Sequence, residues 1–99
     1  MKEFQGKVAV VTGGASGIGR AMAERFAEEG MRIVLADIEK EVLDKAAGEM
    51  KAEGADVVAV LCDVSKKEDV ERLAKEAVAA FGTVHILCNN AGVGMTGLT

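Results

Sequence analysis

The chain has 99 residues, of which 49% are hydrophobic and 28% are charged, and its formal net charge is -4. This composition is typical of a soluble globular domain, and the length is enough for one domain but too short for two. The basic residues are scattered and no apolar run approaches the roughly 18 residues of a membrane helix, which argues against nucleic-acid binding and against a membrane span.

Four short apolar segments predict β-strands that are buried on both faces. Such strands are typical of a parallel sheet, because helices cover both of its faces. The predicted strands are Lys7–Thr12, Arg32–Asp37, Asp56–Cys62 and Val84–Asn89.

Two helices are predicted between the first three strands. The first begins near Ile18 and ends at Gly30, and the second runs from Glu39 to Glu53 with Gly54 as its stop. Glycine is expected at these ends because it adopts the left-handed conformation of a helix cap. The residues predicted to face the core are Ile18, Met22 and Phe26 in the first helix and Leu43, Ala46, Ala47 and Met50 in the second.

A third helix is predicted from Ser65 to the stop residue Gly82. The sequence "SKKE" (Ser65–Glu68) matches a capping box, in which a hydroxyl and a carboxylate bond each other's unpaired amides. Its predicted apolar face comprises Val70, Leu73, Ala74, Ala77, Val78 and Phe81.

The elements alternate as β-α-β-α-β-α-β, which predicts an α/β fold with a parallel sheet and right-handed crossovers. We expect a Rossmann-like, doubly wound sheet with strand order 3-2-1-4 and three helices. Only the third helix is left to cover one face, and strand 4 becomes an unprotected edge. We therefore expect residues 1–99 to form a single domain that is the N-terminal part of a longer chain.

The stretch "TGGASGIG" (Thr12–Gly19) lies between the first strand and the first helix. A helix N-terminus offers unpaired amides and a partial positive charge, which together bind anions. Gly13–Gly14 allow a tight turn, Gly17 lets a pyrophosphate approach the backbone, and Gly19 lets the helix pack on the sheet. The hydroxyl groups available at the turn belong to Thr12 and Ser16.

Asp37 closes the second predicted strand, 18 positions after Gly19. The dinucleotide fingerprint has an acid about 20 residues on, which accepts hydrogen bonds from the adenosine ribose. Its charge would repel a 2′-phosphate, so NAD is favoured over NADP. The alternative is a solvated aspartate at a strand end.

Two further groups follow strands 3 and 4. The Asp63 carboxylate and the Val64 amide are placed to bind an adenine ring, although Asp63 is equally suited to starting the third helix. The segment "NNAG" (Asn89–Gly92) leaves room for a ligand, and bracing of the loop is the competing interpretation, above all for Asn89.

The remaining chemically active side chains favour structural roles. Cys62 and Cys88 are expected to be reduced, buried thiols of a cytoplasmic protein, because "MKEFQGK" lacks the apolar stretch of a signal peptide. His85, the single histidine, is interpreted as structural, and a zinc site would need more ligands.

Together these motifs resemble the short-chain dehydrogenase/reductase family. The glycine turn fits its Thr-Gly-x-x-x-Gly-x-Gly loop, and Asp37 fits its NAD-type acid. "DV" (Asp63–Val64) fits its adenine contact, and "NNAG" fits its strand-4 motif.

The resemblance implies that residues 1–99 are a single dinucleotide-binding domain of a longer parent enzyme. This parent would be an oxidoreductase that transfers hydride between NAD(H) and an alcohol or carbonyl substrate, and it would be a homo-oligomer. The family's catalytic Ser, Tyr and Lys lie beyond Thr99, and this chain contains no tyrosine, so we expect it to be inactive alone. The implied cofactor-binding residues are Thr12, Gly13, Ser16, Gly17, Ile18, Gly19, Asp37, Asp63, Val64, Asn90, Ala91 and Gly92.

Two alternatives stay open at this point. The first alternative is that the chain is a stand-alone nucleotide-binding module. The second is that it belongs to another Rossmann-like class, such as a methyltransferase or a sugar epimerase. The glycine spacing of "GGASGIG" fits neither of those two classes well.

Overall fold

The computed structural model describes residues 5–15 and 17–89. Strands and helices alternate in the predicted order. The elements are β1 (Val8–Thr12), α1 (Gly17–Glu28), β2 (Arg32–Asp37), α2 (Lys40–Ala52), β3 (Val57–Leu61), α3 (Lys67–Phe81) and β4 (Ile86–Asn89).

The four strands form one parallel sheet in the order β3-β2-β1-β4, which confirms the predicted Rossmann-type topology. Val10 of β1 lies between Val34 of β2 and Leu87 of β4. Within the described residues β4 is paired on its β1 side only, so it is the edge strand that the sequence predicts.

The two faces of the sheet carry separate cores. On one face α1 and α2 pack over the strands, and this α1/α2 face includes Ile33, Leu35, Leu43 and Met50. On the other, α3 packs alone, and this α3 face includes Leu73 and smaller side chains of the strands. Two of the described helices therefore lie on one face of the sheet and one lies on the other, as right-handed crossovers predict.

The three predicted stop glycines all have the left-handed backbone that a helix cap requires. The φ angles are +89° at Gly30, +98° at Gly54 and +87° at Gly82. The Gly82 amide donates to the Val78 carbonyl at 2.7 Å. The predicted ends of the three helices are therefore accurate to within a residue or two.

Two predicted helix faces are partly wrong. Ile18 is 72% exposed, because the first turn of α1 extends past the end of the sheet, and the buried residues of this helix are Gly19 and Ala23. In α3, Val70 and Val78 are 42% and 49% exposed. This helix contacts β2 and β3, so only part of its apolar stripe meets the sheet.

The predicted capping box is also wrong. The helix begins at Lys67, its N-cap residue Lys66 makes no side-chain capping bond, and the Ser65 hydroxyl donates to Asp63 Oδ1 at 2.6 Å. The Ser65 amide, from which Glu68 would accept in a capping box, donates to Asp63 Oδ1 at 2.9 Å, so Asp63 holds Ser65 in a turn before the helix. A second bond holds the same turn, because the Asp63 amide donates to Asp69 Oδ2 at 2.9 Å.

The remaining side chains of interest support the sheet. Cys62 and Cys88 are free thiols that pack against opposite faces, and burial raises the pKa of both. His85 lies just before β4, not within a strand, and its Nδ1 accepts a hydrogen bond from the Val8 amide at 3.0 Å. This bond, together with one from the His85 amide to the Val8 carbonyl at 2.9 Å, supports the structural interpretation of the histidine.

None of the helices that the structure describes is long and apolar enough to cross a membrane.

Candidate functional site

The carboxyl ends of the four parallel strands lie along one edge of the sheet, where ligands bind in open α/β folds. Thr12 ends β1 and is 3% exposed, and its hydroxyl donates to the Cys88 carbonyl of β4 at 3.3 Å. Asp37 ends β2, and Asp63 follows β3. The fold therefore brings three of the predicted site positions to the same edge.

The glycine turn connects β1 to α1 and rests against the end of β2. The Gly14 amide donates to the Ala36 carbonyl at 3.0 Å. A Cβ atom on Gly14 would lie 2.7 Å from Leu35 Cδ1 and 2.9 Å from the Val11 carbonyl oxygen. Glycine is therefore required at position 14 by the close approach of the turn to the strands.

The other glycines of the turn meet different requirements. Gly13 and Gly17 have φ angles of +63° and +61°, which L side chains rarely adopt. A Cβ on Gly17 would meet no atom of the described residues within 4 Å, so these residues leave space open beside the first turn of α1. Gly19 is buried against the sheet, whereas Ile18 is exposed at the N-terminus of the helix.

Arg20 follows the glycine turn directly, but its charge is directed toward α2. Its Nε donates to Glu24 at 2.8 Å, and its Nη2 lies 2.7 Å from Glu49 Oε1. Two carboxylates, one on α1 and one on α2, therefore compensate this guanidinium.

The Asp37 carboxylate links the glycine turn to the β2–α2 connection. Its Oδ2 accepts a hydrogen bond from the Ala15 amide at 3.1 Å. Its Oδ1 accepts from the amides of Ile38 at 2.7 Å and Glu39 at 3.3 Å. The acid identified from its spacing thus lies in direct contact with the glycine turn.

Asp63 and Val64 lie at the end of β3 and are both half-buried. Asp63 Oδ1 accepts from the Ser65 hydroxyl and from the Ser65 amide, and these bonds lower the pKa of the Asp63 carboxyl. Val64 packs against the core of the α3 face. Asp63 thus forms the turn that precedes α3. Among the hydrogen bonds found in the described residues, none involves its second carboxylate oxygen.

Four of the predicted site residues lie outside the described residues. They are Ser16, Asn90, Ala91 and Gly92. Asn89 pairs through its backbone with Thr12 as the last residue of β4.

Sequence reasoning missed three residues near this edge. Asp69 and Arg72 fix the loop after β3, since Asp69 accepts from the Asp63 amide and Arg72 Nη2 donates to the Leu61 carbonyl at 2.7 Å. Ile38, directly after Asp37, is 60% exposed beside the site. An apolar residue immediately after the strand-end acid is a signal that the sequence did contain.

The arrangement offers amides and carboxylates but few other reactive groups. Among residues 5–15 and 17–89 there is no cluster of three or more side chains suited to a metal ion. A cleft of about 320 Å³ between α1 and α2 lies beside the start of β3, away from the glycine turn, and its lining includes Glu24, Glu28 and Glu53. The strand-end edge is therefore the better candidate for an anionic ligand.

The chain matches the family model described as short chain dehydrogenase over residues 7–99. It is 48% identical over 90 residues to 1-deoxy-11-beta-hydroxypentalenate dehydrogenase of Streptomyces exfoliatus, covering 91% of this chain and 33% of that protein. It is 45% identical over 87 residues to the (S)-acetoin-forming diacetyl reductase of Staphylococcus epidermidis, covering 88% of this chain and 34% of the reductase.

A solved structure is similarly close. A short chain dehydrogenase/reductase from Burkholderia phymatum, crystallised in complex with NAD, superposes with a TM-score of 0.90 at 52% identity. The match covers 95% of this chain and 34% of that one. The chain thus spans about a third of the length of the proteins it matches. With the motifs, the strand order and the family match in agreement, the chain belongs to the short-chain dehydrogenase/reductase family.

Proposed function

We propose that this chain is the NAD-binding part of a short-chain oxidoreductase acting on an alcohol or carbonyl substrate. One observation carries the proposal: the open glycine turn at the start of α1 is bonded, through the Ala15 amide, to the carboxylate of Asp37 at 3.1 Å. An anion site and a hydroxyl-binding carboxylate therefore lie side by side, as the two ends of an adenosine diphosphate require.

The glycine turn fits a pyrophosphate. The first amides of α1 are available to an anion, and no atom of residues 5–15 or 17–89 lies within 4 Å of a Cβ position on Gly17. We propose that the cofactor phosphates and the adjoining ribose lie along Thr12, Gly13, Ser16, Gly17, Ile18 and Gly19.

Asp37 would accept hydrogen bonds from the adenosine ribose. Its negative charge disfavours a 2′-phosphate, and Arg20 is held between Glu24 and Glu49, so it does not offset that charge. Both features support NAD over NADP. The NAD complex of the Burkholderia phymatum relative is consistent with the same preference.

The adenine and nicotinamide ends would be bordered by the loops after β3 and β4. We propose that Asp63 and Val64 bind the adenine, the carboxylate through the oxygen that does not accept from Ser65. Asn90, Ala91 and Gly92 would border the ribose region.

When bound, NAD(H) would supply hydride transfer between the cofactor and the carbon of an alcohol or carbonyl substrate. The described residues would hold and orient this cofactor, and none of the 99 residues is a tyrosine able to exchange a proton with the substrate oxygen as in the family. We therefore propose that these residues bind NAD without turnover. Substrate binding, catalysis and self-association would belong to the whole protein.

Calorimetric titration of the chain with NAD and NADP tests the proposal. NAD should bind more tightly than NADP, and Asp37→Ala should weaken NAD binding by about 1.5–3 kcal/mol, since a charge-assisted hydrogen bond is lost. Asp56→Ala is the matched control, because it removes one carboxylate at the opposite edge of the sheet, beside Arg32. Equal NAD affinities of wild type and Asp37→Ala, or tighter binding of NADP than of NAD, would contradict the proposal.

A further inference from the structure

The Asp37 side chain makes bonds of two different kinds. Those from the Ile38 and Glu39 amides join neighbours in sequence and form the local turn that aspartate commonly makes after a strand. The bond from the Ala15 amide spans 22 positions and joins two separate loops of the site. A local turn preference explains the first kind and not the second.

Two hydrogen bonds join the glycine turn to the end of β2, a lower contact at Ala36 and an upper contact at Asp37, the last residue of the strand. The lower contact, from the Gly14 amide to the Ala36 carbonyl, is made between backbone atoms and is fixed by the close packing of Gly14 on Leu35. The upper contact, from the Ala15 amide to Asp37 Oδ2, depends on a side chain. Only the upper contact is therefore under the control of the residue type at position 37.

The hydrogen-bonding capacity of this carboxylate is nearly used. An ionised carboxylate offers about four acceptor positions. Among the residues that the structure describes, three amides donate to the Asp37 carboxylate, two at Oδ1 and one at Oδ2. One ribose hydroxyl can be accepted without loss, whereas a second must displace an amide, and the Ala15 amide is the one that does not belong to the local turn.

We propose that Asp37 is a positioning residue for the glycine turn as well as a ribose ligand. Before a cofactor binds, its carboxylate holds the Ala15 amide and fixes the turn that receives the pyrophosphate. Fixing the turn in advance lowers the ordering cost of binding. The consequence for binding rests on the proposed function, but the hold on Ala15 does not.

Hydrogen exchange of the ligand-free chain, followed by NMR, tests the hold directly. The Ala15 amide should be protected in wild type and should exchange about tenfold faster or more in Asp37→Ala. Asp37→Asn should accelerate it too, because asparagine has one acceptor oxygen and the adjacent Ile38 amide competes for it. The Val34 amide, in the centre of the sheet, reports whether each variant is folded.

The binding consequence is tested with 2′,3′-dideoxyadenosine diphosphate, which has the pyrophosphate but neither ribose hydroxyl. If Asp37 acts on ribose alone, its neutral variants should bind this anion as well as wild type or better, because a negative charge has been removed. A positioning role predicts the opposite sign, with binding weakened about threefold to tenfold in Asp37→Asn. Glu39→Gln is the charge-matched control, and it should bind at least as well as wild type.

The outcomes separate the two proposals. An unprotected Ala15 amide in wild type overturns the positioning role, even where a variant fails to fold, and so does unchanged or tighter dideoxy binding in Asp37→Asn. If no adenine dinucleotide binds while Ala15 is protected and released by Asp37→Asn, the hold stands and the cofactor assignment fails.

Discussion

The two faces of the sheet are packed to different extents. On the α1/α2 face, Ile33, Leu35, Leu43 and Met50 are all 2% exposed or less. On the α3 face, Leu87 of β4 is 44% exposed, because α3 packs over β2 and β3. Among the described residues, two helices thus cover one core more fully than one helix covers the other, which is open on the side of β4.

This difference explains where the candidate site is rigid. Ala15 belongs to the core of the α1/α2 face, and Gly14 packs directly on Leu35 of the same core. The glycine turn therefore rests on the face that is fully packed. The α3 face contributes Val64 and the loop after β3, which polar contacts hold in place.

The comparison fails if the two faces contribute equally to stability. Leu43→Ala, on α2, should lower the free energy of unfolding by about 2–5 kcal/mol, because it leaves a cavity at a side chain that is 2% exposed. Val78→Ala, on α3, should change it by less than about 0.5 kcal/mol, because that side chain is 49% exposed. Urea denaturation followed by circular dichroism measures both, and similar losses would refute the comparison.

A pair of glycine substitutions tests the contact between the turn and the α1/α2 core. Gly14→Ala should destabilise the chain by about 1–3 kcal/mol, since its Cβ would meet the Val11 carbonyl oxygen at 2.9 Å and backbone atoms move little. It should also weaken NAD binding.

Gly48→Ala is the matched control, because Gly48 lies within α2 and its Cβ would meet no atom within 4 Å. This change should raise the free energy of unfolding by about 0.5–1 kcal/mol, in line with helix propensity. Thermal melting distinguishes the pair, and a neutral Gly14→Ala would show that the turn does not press on Leu35.

The fold could be predicted because its signals are local and agree with one another. Continuous apolar segments marked the strands, and Gly30, Gly54 and Gly82 marked the ends of the helices, all three with positive φ. The order 3-2-1-4 was then expected from the doubly wound pattern that alternating strands and helices form.

The errors arose where two local interactions compete or where burial depends on distant elements. Ser65 and Glu68 have the spacing of a capping box, but Asp63 accepts from the Ser65 amide that Glu68 would bond. Ile18 and Val78 have helical spacing, but the sheet does not extend beneath them.

The candidate site was only partly readable from the sequence. Spacing brought Asp37 to the end of the sheet, but the bond from the Ala15 amide to its Oδ2 depends on how β1 and β2 align. The open space beside Gly17 and the pairing of Arg20 with Glu49 likewise depend on three-dimensional placement. Motif spacing identifies which residues meet, and packing determines what they bond.

The smallest expected effect concerns the loop after β3, where polar bonds take the place of a full core. The Ser65 hydroxyl and amide lower the pKa of the Asp63 carboxyl in the folded chain. Ser65→Ala removes the hydroxyl and leaves the amide, so this pKa should rise toward the ordinary value of about 4.

The sign of the pH dependence follows from the lowered pKa. The stabilisation from Asp63 is fully present above the pKa of the unfolded chain, about 4, and is lost as the pH falls through the lower pKa of the folded state. Wild type should therefore lose more stability than Ser65→Ala between these two values. A titration of the Asp63 carboxyl carbon by NMR measures the shift in both proteins. An Asp63 curve that does not move would mean that the hydroxyl does not hold the carboxylate, and that the Ser65 amide, Asp69 and Arg72 fix the loop after β3 without it.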